Sequence, residues 1–323
     1  MTSSRVSNEG LGGSITIQTT GQVDVGSQMS ALGFDGSPLG IFTTGGGNIT
    51  VNSTGTIDVH GSRVAAYNGG TITLHSDEGD INAGSGGSGV TTFIGTEWDP
   101  VSQSVIHFPA TIPGSGILST TLADGTSQLG DVLLSTPHGS IYANSGGVIQ
   151  IPFNGIQNDA KVTLNAGRDI EAGNSGIIGG NIRLTAGGSV KGIVVGSGNV
   201  SIKSENSVSV SVLSGGSVSI SAGTTVSGTV VSAGAIDVSG GSITANLIAG
   251  SVSTTGDASG AAVGVPASTL SRADSQVADS ADRLASKQID RDADALEKRK
   301  SLPKASVVTT RARVRVFLPG ELN

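Results

Sequence analysis

Hydrophobic and polar positions alternate within a short phrase that recurs nine times along the chain. Each copy has a small residue, usually glycine, followed two positions later by valine or isoleucine, then a mostly polar residue and an aliphatic one. The copies begin at Gly13, Gly47, Gly70, Gly130, Ala160, Gly180, Gly198, Gly216 and Gly234. A period of two sends the aliphatic side chains to one face of a strand. The phrase therefore predicts nine β-strands, each with one buried face.

A second apolar position follows each copy at a nearly fixed distance. It stands seven to nine residues after the first β-branched residue, at Val23, Ile57, Ile81, Ile141, Ile170, Val190, Val208, Val226 and Ile243. This constant offset predicts two strands joined by a tight corner. Glycines near the corners supply positions where a positive φ is needed.

The repeat becomes regular from Ile182 onward. The first strands recur at Val200, Val218 and Ile236, a spacing of 18 residues, and a third apolar cluster often follows the second strand. Three strands per 18 residues form one coil of a solenoid, and coils stack through parallel ladders about 4.8 Å apart. We therefore predict an all-β chain that folds as a right-handed parallel β-helix, a rod of roughly 40 to 45 Å.

The composition favours the same fold. Hydrophobic residues make up 36% of the 323 residues, aromatic residues only 3%, and glycine occurs 51 times. A core built from so few bulky side chains has to be thin, as it is inside narrow coils. An antiparallel sandwich also suits short strands separated by glycine, but it explains neither the 18-residue period nor the fixed strand offset.

Three insertions interrupt the period in the N-terminal half, at about 26–46, 83–129 and 145–159. Insertions in a solenoid emerge as loops at its corners, where binding functions concentrate. The longest one carries the candidate ligand or partner contacts, which are Phe93, Trp98, His107 and Phe108. The alternative role of these aromatic side chains is to fold the loop down onto the rod.

The solenoid is expected to occupy residues 1–253 and to be followed by a linker at 254–269. A helix and a strand are predicted within residues 270–323. The helix is predicted from apolar residues that recur every seven positions, at Leu270, Val277 and Leu284. Helix and strand are expected to cap the end of the solenoid or to meet a partner.

Charge and motifs exclude several classes of protein. A formal net charge of −7, with 18 basic residues, is a poor basis for binding nucleic acid. The absence of cysteine excludes a disulfide framework and a thiolate metal site. The four histidines have no metal-ligand spacing and no nucleotide motif occurs, so no cofactor and no metal is predicted. No apolar run is long enough for a membrane span.

The N-terminus lacks the basic start and apolar run of a signal peptide. The β-type sequence begins by Gly13 with no capping segment before it. We therefore expect a fragment or the downstream part of a longer protein.

The outward positions of the second strands offer one candidate for chemistry. Asp24 and Asp58, if they lie on adjacent coils, are expected about 5 Å apart, a separation that suits the paired carboxylates of a retaining glycosidase or a cation site. No third acid or nearby arginine supports the pair. A non-enzymatic role is therefore preferred, and a polysaccharide lyase or glycoside hydrolase of the β-helix type is the alternative.

Several phrases resemble the repeats of filamentous-haemagglutinin-like exoproteins, which use two-partner secretion. The phrases are VTLNAGRDI at 162–170 and IRLTAGGSV at 182–190, and the resemblance covers about 12–253 as the C-terminal part of the family's β-helix. It implies secreted proteins that leave the cell through a separate outer-membrane barrel transporter and serve in adhesion, aggregation or toxin delivery. By this resemblance we expect a scaffold or adhesin on the surface of a Gram-negative bacterium. It would bind glycans or proteins of host or neighbouring cells.

Overall fold

The computed structural model describes residues 5–26, 39–84, 90–99, 104–113, 115–121, 128–152, 159–173, 175–258 and 262–264. Every helix or strand assigned within these ranges is a β-strand. The predicted all-β parallel β-helix is confirmed, since 25 of the strand pairings are parallel. The predicted helix and strand in 270–323 lie outside the described residues. Within the described ranges no helix is long and apolar enough to cross a membrane.

The strands of the N-terminal half are β1 (Arg5–Leu11), β2 (Ile15–Thr19), β3 (Val23–Asp24), β4 (Gly40–Gly45), β5 (Ile49–Ser53), β6 (Ile57–Asp58), β7 (Arg63–Ala66), β8 (Ile72–Ser76), β9 (Ile81–Asn82), β10 (Val90–Asp99), β11 (Ser104–Pro113), β12 (Gly116–Thr120), β13 (Val132–Thr136), β14 (Ile141–Tyr142) and β15 (Val148–Ile151).

The strands of the C-terminal half are β16 (Lys161–Ala166), β17 (Ile170–Glu171), β18 (Ile177–Gly179), β19 (Asn181–Ala186), β20 (Val190–Gly196), β21 (Val200–Ser204), β22 (Val208–Ser214), β23 (Val218–Ala222), β24 (Thr225–Ser232), β25 (Ala235–Ile243), β26 (Asn246–Ala249), β27 (Ser251–Ala258) and β28 (Ala262–Gly264).

Each coil contributes one strand segment to each of three parallel faces. The first face is the ladder β2, β5, β8, β13, β16, β19, β21, β23, β25 and β27. The second begins with β3, β6, β9, β14 and β17 and continues through the first part of β20, β22 and β24. The third is β1, β4, β7, β12, β15, β18, the later parts of β20, β22 and β24, then β26 and β28. The nine predicted first strands all lie on the first face, which gains a tenth strand in β27.

The register stacks like on like. Ile182 pairs with Val200, Val200 with Val218, and Val218 with Ile236, which gives the predicted 18-residue coil. Because parallel strands lie about 4.8 Å apart, the ten strands of the first face span about 43 Å. Each coil is thus displaced from the previous one by one strand spacing, and residues at equivalent positions of successive coils lie next to each other.

The core is a thin column of aliphatic residues inside the coils. Ile49, Ile72, Ile170 and Val208 are completely buried, and they belong to one cluster that runs from Ile15 to Ala249. Valine, isoleucine, leucine and alanine fill this column. Aromatic residues take no part in that cluster, which explains how so low an aromatic content supports the fold.

Hydroxyl side chains close the corners of the coils. At the end of first-face strands, Ser76, Thr136 and Ser204 donate to a glycine carbonyl of the preceding coil over 2.6–2.9 Å. At the end of third-face strands, Ser214 and Ser232 make the same kind of bond, over 2.6–2.8 Å. These bonds tie each corner to the next coil, and the carbonyls of Gly188, Gly198 and Gly216 also accept a backbone N–H from that coil. The recurring serine and threonine therefore have a structural reason.

The predicted insertions contain regular strands. The range 26–46 includes β4, the range 83–129 includes β12, and the range 145–159 includes β15, and all three are third-face strands. Likewise β27 crosses the predicted boundary at 253 and enters the predicted linker at 254–269. The third-face strands within the insertions escaped sequence reasoning because both of their faces carry apolar residues, so they show no alternation, whereas the third apolar cluster predicted for the regular coils coincides with the later parts of β20, β22 and β24.

The stacked core leads to a first prediction. Replacing Ile170, which is completely buried, by alanine should lower the free energy of unfolding by about 2–5 kcal/mol. The neighbouring Glu171→Ala change removes an outward side chain and should stay within about 0.5 kcal/mol of the wild type. Urea denaturation followed by circular dichroism measures both. Equal losses in the two variants would contradict the assigned inner and outer faces.

Candidate functional site at the insertion corner

The candidate contacts lie beside the corner between the second and third faces of the N-terminal coils. We call this edge the insertion corner, and define it by the segments that join β3 to β4, β6 to β7, β9 to β12 and β14 to β15. The segment from β9 to β12 is the longest and contains β10 and β11. Extra residues are tolerated there because a corner lies outside the ladders that hold the coils together.

The strands β10 and β11 form a two-stranded antiparallel sheet separate from the solenoid ladders. Ten residues of each strand pair, from Val90 with Pro113 to Asp99 with Ser104. The candidate contacts pair as Phe93 with Ala110, Gly95 with Phe108, Thr96 with His107, and Trp98 with Val105. The structure thus places all four candidates on one hairpin, and their contact with a ligand stays a prediction.

Asp24 and Asp58 pair directly in the parallel register of β3 and β6. His60, at the turn after β6, lies between them. Its Nε2 is 2.9 Å from Asp24 Oδ1 and its Nδ1 is 3.2 Å from Asp58 Oδ1. The backbone N–H of His60 also donates to Asp58 Oδ1 over 2.8 Å. The predicted acid pair is therefore an acid–histidine–acid cluster, and sequence reasoning missed the histidine.

A row of amides extends this cluster to the root of the hairpin. Asn82 Nδ2 donates to Asp58 Oδ2 over 3.3 Å, and Asn144 Nδ2 donates to Asn82 Oδ1 over 2.8 Å. The backbone N–H of Gly84, which follows β9, donates to the same Asn82 oxygen over 2.9 Å. These bonds fix the point from which the chain leaves the solenoid toward β10. The acid pair and the hairpin, found separately in the sequence, thus adjoin one edge.

The electrostatics of the cluster favour an ionised Asp24. The hydrogen bond from His60 lowers the pKa of the Asp24 carboxyl, and the bond from Gln22 Nε2 acts in the same direction. Within the described part of the chain, no group of three or more histidine, cysteine or acidic side chains is arranged to hold a metal ion. The role of Asp24 and Asp58 as a cation site or acid pair stays a prediction.

A buried arginine lies on the outer side of the third face, beside the insertion corner. Arg63 is 1% exposed, and its Nη1 donates to the Tyr67 hydroxyl over 2.7 Å. Among the described residues no acceptor meets its Nε or Nη2. The Tyr67 ring contacts Phe42, whose centroid lies 6.2 Å away and which is itself 2% exposed. Phe42, in a predicted insertion, therefore packs into the structure.

A second polar cluster lies on the outer side of the first face. His75 Nδ1 is 2.6 Å from Ser135 Oγ, and His75 Nε2 is 2.8 Å from Asp77 Oδ1. The order serine–histidine–aspartate is that of a hydrolase triad. The Asp77 side chain is 57% exposed, however, so water competes for it, whereas the orienting carboxylate of a triad is buried.

An open groove of about 530 Å³ adjoins Asp77. Its lining includes the amides of Gln18 and Asn52 and the hydroxyls of Thr20 and Thr54. Such a lining offers hydrogen bonds to a polyhydroxylated ligand and little apolar surface. Sequence reasoning missed the groove because its residues come from three coils and appear there as ordinary outward polar positions.

The fold and this corner define a decorated parallel β-helix, a solenoid scaffold that carries a hairpin and polar surface clusters. Residues 69–168 match the sequence profile of a family described as filamentous haemagglutinin family outer membrane protein. The predicted resemblance to that family is thus confirmed, and the match covers β8 to β16, including the hairpin. No curated protein and no solved structure matches the chain.

The Asp24–His60 contact leads to a pH prediction. Because the folded pKa of Asp24 is lowered from 3.8, its ionised form stabilises the fold above that pH, and the contribution is lost as the pH falls through the folded value. Asp24→Asn should therefore lower the thermal midpoint at pH 7 and differ less from wild type at pH 3. In a His60→Ala background the effect of Asp24→Asn should largely vanish. A difference that is independent of pH would rule out this contact.

Arg63 leads to a prediction that a substitution preserves or raises stability, whereas Asp24→Asn is expected to lower it. Replacing a buried charge by an apolar side chain of similar volume is often neutral or stabilising by about 1–4 kcal/mol. Because two nitrogens of Arg63 have no partner among the described residues, Arg63→Met should keep or raise the free energy of unfolding. Arg63→Lys retains a buried charge and should lower it. Chemical denaturation decides, and marked destabilisation by methionine would contradict the expectation.

Proposed function

We propose that this chain is a non-enzymatic scaffold or adhesin of a bacterial surface protein, which binds glycans or proteins of host or neighbouring cells through the β10–β11 hairpin. The observation that carries the proposal is the hairpin itself. It is a ten-rung antiparallel ribbon inserted between β9 and β12 of an otherwise parallel stack. It brings Phe93, Trp98, His107 and Phe108 onto one element, and aromatic residues are common anchors at binding surfaces.

The match to a family of outer membrane proteins supports placement at the outer-membrane surface or outside the cell. A solenoid suits a location at the cell surface because it is an extended, rigid scaffold whose corners carry projecting loops. A separate outer-membrane barrel would export the full-length protein, as the resemblance implies. Host or neighbouring-cell surfaces would then be the partners within reach of the hairpin.

The polar groove beside Asp77 supports a glycan as the ligand class. Its volume of about 530 Å³ is within the range of small-molecule sites. Hydroxyl and amide groups of Asn52, Thr20 and Thr54 match the alternating donors and acceptors of a sugar. The groove and the hairpin both belong to the N-terminal half. One extended saccharide that contacts both therefore explains the two features with a single ligand instead of two separate ones.

A lyase or glycoside hydrolase that uses Asp24 and Asp58 is less well supported. Both carboxylates already interact with His60, and the Asp24 side chain is 53% exposed. A general acid needs a raised pKa, which burial provides. The pKa of Asp24 is instead lowered, which favours a structural role for the pair.

Removal of the hairpin tests the proposal. Replacing 90–113 by a short glycine–serine linker leaves β9 and β12 in place, because these strands flank the deleted ribbon. The variant should lose most of its binding to glycan-coated surfaces or cultured cells, while its circular dichroism keeps the β-sheet signal of the solenoid and loses only the share of the deleted strands. Four alanine substitutions, at Phe93, Trp98, His107 and Phe108, should cause a similar loss.

A matched control uses the half of the solenoid that has no insertions. Lys203 and Ser221 stand on the outer side of the first face at equivalent positions in adjacent coils. Their replacement by alanine should leave binding unchanged. If the hairpin deletion binds as well as the wild type, the hairpin is not the binding element. If binding is lost only in the groove variant Asn52→Ala, the groove is the binding site instead.

A further inference from the structure

The groove beside Asp77 lies at the corner between the first and second faces. Its lining comes from three successive coils, through residues 18–20, residues 52–54 and Asp77. The backbone N–H of Asp77 donates to the Ser53 carbonyl over 2.9 Å, which holds the coils in register there. Since two steps of a parallel ladder span about 9.6 Å, the groove runs along the rod and suits an extended ligand.

Four polar side chains of this lining have no hydrogen-bond partner among the described residues. They are the amides of Gln18 and Asn52 and the hydroxyls of Thr20 and Thr54. The hydroxyls of Thr19 and Ser53, by contrast, are bonded to the backbone of Gly21. None of the described residues that line the groove is apolar, whereas a basic peptide needs apolar surface for the methylene stems of its lysines and arginines. Free amides and hydroxyls without apolar surface favour a sugar.

Asp77 is the charged residue of the lining, and its side chain is 57% exposed. Asp77 Oδ1 accepts a hydrogen bond from His75 Nε2 over 2.8 Å. Because a carboxylate can only accept, the neutral imidazole carries its hydrogen on Nε2, and its Nδ1 accepts from the Ser135 hydroxyl over 2.6 Å. Among the described residues nothing bonds to Asp77 Oδ2. The serine and histidine thus position one carboxylate oxygen and leave the other for a ligand.

The part of the chain that forms the groove is strongly acidic. Residues 1–160 contain twelve aspartates and glutamates but only two lysines or arginines, Arg5 and Arg63. Both arginines stand on third-face strands, and Arg63 is 1% exposed. Glu78 and Asp80, which follow Asp77 directly in the chain, add negative charge at the same corner. This field repels sulfated or carboxylated sugars and attracts a cationic one.

We propose that the groove beside Asp77 binds a saccharide that carries free amino groups, such as an oligomer of glucosamine. The inference rests on the proposed function, because the ligand is a glycan, and it names the class of sugar. A protonated amino group forms a charge-assisted hydrogen bond with Asp77 Oδ2. The ring hydroxyls bond to the free amides of Gln18 and Asn52. His75 and Ser135 are positioning residues for the carboxylate.

Calorimetric titration of the full-length chain with two oligosaccharides tests the proposal. The probes are a glucosamine oligomer and its fully N-acetylated counterpart of the same length, in a buffer that keeps the amino groups protonated. The glucosamine oligomer should bind about two- to fivefold more tightly, because an exposed ion pair supplies a preference of that size. Raising the salt concentration should reduce the preference, since salt screens exposed charges.

Two variants assign the preference to one carboxylate. Asp77→Asn removes the charge and keeps the size of the side chain, so the two oligomers should bind equally well. Glu78→Gln is the matched control, because Glu78 is the adjacent acid, is 66% exposed and is not among the described residues that line the groove. It should keep most of the preference, and circular dichroism shows that both variants are folded. Equal loss of the preference in both variants would overturn the assignment to Asp77.

The inference and the proposed function fail on different results. If the wild type binds the N-acetylated oligomer as tightly as the glucosamine oligomer, the inference is overturned and the groove remains a glycan site. If neither oligomer binds while attachment to cells still depends on the hairpin, the inference is overturned and the adhesin proposal stands. If neither the hairpin deletion nor Asn52→Ala weakens attachment to cells, the proposed function fails, and a glucosamine preference that depends on Asp77 would still support the inference.

Discussion

The parallel ladder between successive coils is the constraint on which the rest of the structure depends. Each coil donates and accepts backbone hydrogen bonds along three faces, so every residue is held about 4.8 Å from its counterpart in the next coil. Side chains that share a register position must therefore stack well on copies of themselves. Valine and isoleucine do so inside the column, as in Val200, Val218 and Ile236. Repetition in the sequence follows from this geometry.

The same ladder explains where variation is tolerated. Coils between β19 and β25 need 18 residues, whereas the step from Ile72 to its partner Val132 takes 60. Despite the extra chain between them, the two residues pair in register. The additional residues lie between β9 and β12 and between β12 and β13, outside the ladders that hold the coils together. An insertion can therefore grow without cost to the stack, and binding elements such as the hairpin can be added there.

Sequence reasoning predicted the first and second faces and missed much of the third. A first-face strand such as Ile49–Ser53 alternates, with buried Ile49 and Val51 separated by a more exposed Thr50, so its period of two is visible. A third-face strand such as Ile177–Gly179 is buried on both sides, so Ile177 and Ile178 give no period. Its outer residue, Ile178, is 1% exposed and packs with Ile149 and Val195. Alternation fails wherever both sides of a strand are covered.

The candidate site shows a similar limit. The Asp24–Asp58 pair was predictable because both residues occupy the same position of their coils. His60 was not, since it occupies a corner position with positive φ that the neighbouring coils fill with Gly26, Gly84 and Asn144, so nothing in the repeat indicates a histidine there. Arg63 and Tyr67 escaped for another reason, because both lie on an outer face that is normally solvated yet are buried here.

An arginine is a costly choice for such a position, since its guanidinium loses water and Nε and Nη2 gain no partner among the described residues. It lies on a third-face strand beside the insertion corner, where the additional chain segments join the solenoid. Stability of the stack alone would favour an aliphatic residue there, as at Ala65, the next outward residue of the same strand. The departure from the repeat thus points to demands made by the insertions, and the same holds for His60. Polar residues that break the pattern of the solenoid are the ones to examine for function.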